Sequence, residues 1–229
     1  MIPMTSTFTD AFLRTAEHHA AWGAEQLEAL QQVLPGGPWT VDLNQCRYES
    51  SGRVVRVGLL GSYDQAGRSW LWGWANPGLR GSAVVAAGAR IAEFGRLHDV
   101  PELREEGVDL SGFADPHRAA ESLAFVGMGV LGAAGYIGQP AGPGTRVYFT
   151  PDDPQIPHAP LNPLTMPRHL VTGAGLFGRS PHAVVTGYFA HHRVPTTTAA
   201  DRITAHLPGG STAEVAFDAL GRIAAINVA

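Results

Sequence analysis

Apolar residues recur at Phe12, Ala16, Ala20, Gly23, Leu27, Leu30 and Leu34, at spacings of three and four that trace one stripe of a long helix. Thr7 followed by Asp10 resembles a capping box with a shortened acid, and Pro35-Gly36-Gly37-Pro38 stops the helix. Glu17, Glu25, Glu28, Gln31 and Gln32 fall off the stripe and are expected on its solvent side. From Trp39 the period changes to two. Trp39, Val41 and Leu43, then residues 54–60 and 69–75, alternate as strands around turn clusters at 50–52 and 64–67, so an antiparallel meander laid against the first helix is expected.

A second helix is predicted over about 82–98, with Ser82 as N-cap and Pro101 beyond its end. A third follows Asp115-Pro116 and runs to about Ala134 before Gly135. Its Gly127, Gly129 and Gly132 weaken it by up to about 1 kcal/mol each relative to Ala, which suggests close approach of another backbone. Residues 145–150 return as a strand. Six prolines in the seventeen positions 151–167 leave no periodicity and read as a stiff connector. Beyond it the pattern predicts a short strand near Leu170, a helix over about 181–192 and strands at 203–207, 213–217 and 222–228. The fold class expected is α+β: an antiparallel sheet covered by helices in residues 1–150, the connector 151–167, and a smaller αβββ unit in 168–229.

Composition narrows the chemistry. The chain has 229 residues, 45% of them hydrophobic and 16% charged, which is the composition of a folded domain rather than a disordered one. A net charge of -4 supplies no field for a polyanion, so nucleic acid is not expected as a partner. All 16 basic residues are Arg, which excludes Schiff-base and phosphate-loop lysines. Cys46 is the single cysteine, so neither an intrachain disulfide nor a cysteine-built zinc site is expected. Residues 1–10 lack the pattern of a secretory leader and no window is apolar enough to span a membrane, which makes a cytoplasmic location the expectation. The excess of Arg, Ala, Gly and Pro points to a GC-rich bacterial genome.

The most distinctive segment is LLGSYDQAGRSWLWGWANP, residues 59–77. Its glycine-serine turn and W-x-W-x-W-x-N strand resemble an uncharacterised, mainly actinobacterial domain family, the similarity covering about residues 8–150 and including Leu131–Pro140. The resemblance implies a domain assignment and carries no activity, ligand or site residue.

Trp70, Trp72 and Trp74 stand at alternate positions, so a continuous strand would put three indoles on one face. Such a wall serves either as core or as a binding surface for a small molecule or a protein, with Asn76 adding a polar contact. Trp70, Trp72, Trp74 and Asn76 are therefore the candidate ligand-binding residues.

Other motifs are weaker. Gly173-Ala174-Gly175-Leu176-Phe177-Gly178 matches a dinucleotide fingerprint, but too little chain follows to complete a nucleotide fold, and no cofactor is expected. His18-His19 and His191-His192 are adjacent pairs about 100° apart on their helices, which cannot both grip one ion. They are read as surface histidines, and no metal is expected. His182 with His191 or His192 and a carboxylate such as Asp201 has nothing beyond residue type in its favour, and Ser180, Ser211 and Cys46 form no recognisable catalytic signature. The paired acids Asp152-Asp153 and Glu105-Glu106 read as solvated turns. The function expected is that of a non-catalytic binding protein, its partner a protein, a small molecule or a second copy of the chain. The alternative is a small-molecule enzyme with its pocket between the sheet and the third helix.

Overall fold

A computed structural model describes residues 7–229; the first six, part of the stretch read above for a leader, lie outside the described residues. The described residues form six helices and two antiparallel sheets of seven and four strands, an α+β fold. None of the helices is long and apolar enough to cross a membrane. The described residues pack into two compact units, one of residues 7–12 and Leu27–His158, the other of Leu13–Gln26 and Ala159–Ala229. The first helix, α1 (Asp10–Val33), therefore contributes its ends to one unit and its middle to the other.

In the first unit, β1 (Trp39–Asp42), β2 (Arg47–Ser50), β3 (Arg53–Asp64) and β4 (Ser69–Trp72) form an antiparallel meander, with β2 one strand more than expected. Helix α2 (Ala89–Leu97) follows a 3-10 segment, Ala83–Gly88, so the predicted second helix is α-helical only in its second half. Next come α3 (Pro101–Arg104), β5 (Gly107–Asp109), α4 (Pro116–Leu131), β6 (Ile137–Pro140) and β7 (Thr145–Pro151). Sequence periodicity misses β2, α3, β5 and β6, which are only three or four residues long. The twelve-residue β3 is the spine of the sheet, pairing with β2, β4 and β7.

Helix α4 opens on Asp115, whose carboxylate accepts the Arg118 N–H, and closes at Gly132 in the left-handed region (φ 64°) rather than at Gly135. A Cβ on Gly127 would lie 3.0 Å from both Leu60 and Trp72. The missing side chain thus admits an indole and a leucine rather than another backbone. Trp72 is fully buried and its Nε1 donates to the Glu102 carbonyl at 2.8 Å.

In the second unit, α5 (Met166–Phe177) replaces the strand expected near Leu170. Proline at the start of a helix costs nothing, because the N–H it lacks has no partner there, and Pro167 occupies that position. Helix α6 (Pro181–His191) and the strands β8 (Thr196–Ala199), β9 (Arg202–His206), β10 (Thr212–Phe217) and β11 (Ile223–Val228) complete it, one helix and one strand more than the αβββ pattern expected. Both helices lie against the middle of α1 through glycines: Gly173 faces Ala21 and Gly187 faces the His18 carbonyl, each with no room for a Cβ. This packing buries Glu17 and Glu25, which the stripe analysis assigned to solvent.

Candidate functional site

In the first unit the end of β3 and the β6–β7 hairpin meet the start of α4 at a cleft of about 310 Å³. Tyr63 of β3 and Gln65 of the following turn form one wall, His117 in the first turn of α4 another, and Pro140, Gly142, Gly144, Thr145 and Arg146 of the β6–β7 hairpin the third. Gly142 (φ 124°) and Gly144 (φ 74°) sit where a side chain would strain the backbone, so this hairpin stays thin beside the cleft. The Tyr63 and His117 rings lie 5.8 Å apart and tilted, giving the cleft a partly aromatic lining.

Behind the lining stands Glu121, one helical turn after His117. Its Oε2 accepts the Tyr136 hydroxyl hydrogen at 2.6 Å and its Oε1 that of Tyr148 at 2.9 Å. His117 Nε2 is 3.4 Å and Arg146 Nε 3.9 Å from the same Oε1. Burial, reinforced by the Glu121 charge, raises the pKa of both phenols far above 10, so each is a fixed hydrogen donor at neutral pH. Burial likewise raises that of Tyr63. Arg146 donates through Nη2 to the Gly138 carbonyl at 3.0 Å, whereas its buried Nε has no hydrogen-bond partner. The cleft thus presents a guanidinium, an imidazole, a phenol and an amide from three elements, with the carboxylate behind them engaged by two phenols.

The sequence-derived candidates lie elsewhere. Trp70 and Trp72 share a face of β4 at 1% and 0% exposure, so their indoles are core. Trp74 is not on that strand. Gly73 is pressed against the Leu59 carbonyl, and residues Gly73–Ala75 turn into a 3-10 segment. The expectation of one continuous three-indole face is corrected accordingly. Asn76 caps the next 3-10 turn, its side chain accepting the Gly78 N–H at 3.0 Å. Trp70 does reach the site indirectly: its ring lies 5.1 Å from that of Tyr148, the phenol held by Glu121. The spacing of His117 and Glu121, four residues apart after a capped helix start, was the signal in the sequence that could have found this cleft.

The remaining motifs resolve plainly. The glycine-rich run lies in the last turns of α5, with Gly178 as its left-handed cap (φ 73°), and not between a strand and a helix. Asp152 pairs with Arg56 at 3.0 Å and Glu105 with Arg104 at 3.0 Å, both exposed. The two histidine pairs are not simply at the surface, since His19 is buried and His192 meets the buried Glu25 at 2.7 Å. Among the described residues no group of three or more His, Cys, Asp or Glu side chains is arranged to hold a metal ion.

The model of the family of unknown function DUF6882 matches residues 8–154, the span that contains the cleft. No curated protein and no solved structure matches the chain.

Proposed function

The chain belongs to the DUF6882 family, which brings no activity with it, and from the geometry alone we propose that it is a binding protein for a small polar molecule held in the Tyr63–His117–Arg146 cleft. The observation that carries this reading is the buried Arg146 Nε, left without a hydrogen-bond partner on the wall of a cleft that Tyr63, Gln65, His117 and Thr145 also line. A buried donor without an acceptor costs about 1–3 kcal/mol, and a ligand acceptor would recover it. Glu121, Tyr136 and Tyr148 set the back of the cleft, and Trp70 supports Tyr148. In this reading the tryptophan strand stiffens the site from inside instead of touching the ligand, and Asn76 shapes a turn.

Native mass spectrometry of the purified chain tests the proposal. A retained small molecule that is lost in both Arg146→Gln and His117→Gln, with thermal stability unchanged, is the expected result. Retention undiminished in both variants would overturn it. Slow chemical conversion of the retained molecule would favour the enzyme alternative at the same cleft, with His117 and Glu121 as the pair to examine.

A further inference from the structure

The last two turns of α1 open onto a second pocket in the first unit, about 460 Å³ in volume and sharing no lining residue with the cleft. It exists because α1 stops. Pro35 and Gly36 end the helix, the chain turns away toward β1, and Leu27, Leu30 and Leu34 are left facing β6 across open space. Ile137 and Gln139, alternate residues of β6, form the opposite wall from one side of that strand. Tyr136 adds its ring alone, because its hydroxyl donates to Glu121 at 2.6 Å. Gln31 is exposed at the mouth. Among the described residues, none that lines the pocket is charged or a histidine.

One polar pair is set into this apolar lining. Tyr48 is 1% exposed, its ring packs beside those of Trp39 and Phe149, and its hydroxyl lies 2.7 Å from Gln139 Nε2. Among the described residues that is the one side-chain hydrogen bond of either group. A phenol and an amide, each able to donate and to accept, cannot satisfy one another through a single bond. With the amide nitrogen donating, the phenol hydrogen and the amide carbonyl are left over. With the amide turned over, the phenol donates to the carbonyl, and an N–H and a phenol lone pair are left. Either arrangement leaves one donor beside one acceptor.

We infer that this pocket is a second binding site, taking a neutral, mainly apolar ring compound whose polar edge pairs an acceptor with a donor, as a lactam does. The leucines and Ile137 suit the ring, and the Tyr48–Gln139 pair suits the edge. The same lining rejects a charged ligand, because a charge brought there finds no counter-ion to offset its lost hydration. In volume the pocket falls within the roughly 300–1,000 Å³ usual for small-molecule sites, which are likewise apolar with a few placed polar groups. The inference does not rest on the cleft reading, and its test uses none of the residues that line the cleft.

Methyl-labelled NMR of the full chain, titrated with carbostyril, a fused aromatic lactam, decides the matter. Carbostyril should shift the Leu30 and Ile137 methyl signals saturably. Quinoline, which has the rings and an acceptor but no N–H, should bind more weakly, and so should the anion quinaldate. Tyr48→Phe and Gln139→Leu should each weaken carbostyril binding about fivefold to tenfold, the worth of one hydrogen bond. Gln139 is only partly buried, so its variant keeps the test open where the core change at Tyr48 disturbs folding. Methyl signals that stay unshifted up to the solubility of carbostyril would overturn the inference. Equal affinity for carbostyril and quinaldate would do the same, as would undiminished carbostyril binding in both variants.

Discussion

Glu25 and Tyr188 meet inside the second unit, the phenol donating to the carboxylate at 2.9 Å with both groups buried. The same carboxylate faces His192 at 2.7 Å, so one acidic residue joins α1 to Tyr188 of α6 and to the residue that caps that helix. A buried carboxylate is tolerable because its oxygens are occupied, and each partner removed exposes part of its desolvation cost.

Tyr188→Phe should therefore destabilise the second unit by about 1–3 kcal/mol, the cost of leaving a buried acceptor short of a donor. It should also change the alkaline limit. Burial first and the Glu25 charge second raise the Tyr188 pKa above its ordinary 10.0, as burial and Glu121 do for Tyr136 and Tyr148. The folded chain keeps these protons where the unfolded chain loses them, so their stabilisation is full below pH 10 and is lost as pH rises beyond it. Denaturant midpoints measured from pH 9 to 11 should fall, and the fall should be shallower in Tyr188→Phe. A slope identical in the two proteins would count against the assignment.

Glycines in the second unit give a paired prediction. Gly187 lies on α6 against the His18 carbonyl, with no space for a methyl group, whereas Gly175 on α5 has nothing within 4 Å. Overpacking against backbone costs about 1–3 kcal/mol, so Gly187→Ala should lower the melting temperature by several degrees. Gly175→Ala should leave it unchanged or raise it, since Ala is favoured in a helix by up to about 1 kcal/mol. Equal effects would contradict the helix contacts described.

How much of this was legible depends on the range of each contact. The stripe from Phe12 to Leu34 and the turn clusters of the meander are local signals, and the elements they imply are present. Glu17 and Glu25 defeated the same periodicity because helices more than 130 residues later in the chain cover them. The histidine dipeptides, read as surface pairs, meet their partners crosswise: His19 meets His191 while His192 turns to Glu25. That pairing follows from α1 meeting α6, which no spacing within either helix reveals. At the cleft, Arg146 and Tyr63 come together only because β7 returns to pair with β3, with Tyr63 opposite Arg146 in the register.

Trp72 provides the test of the tryptophan strand. Its indole is fully buried, packs beside Gly127 of α4 and donates from Nε1 to the Glu102 carbonyl, so its loss removes apolar contact and leaves an acceptor unpaired. Trp72→Ala should cost about 3–5 kcal/mol, the range for deleting a buried aromatic, and should lower the denaturation midpoint of the first unit. Trp74 differs in place and in bonding: it lies on the 3-10 turn, is only partly buried and has an Nε1 without a hydrogen-bond partner. Its replacement by Ala should therefore cost distinctly less than that of Trp72, since less surface is buried and no hydrogen bond is lost. A Trp72→Ala protein with unaltered stability that has lost a bound molecule would instead return the strand to the binding role its sequence suggested, because only a surface residue can be removed without disturbing the core.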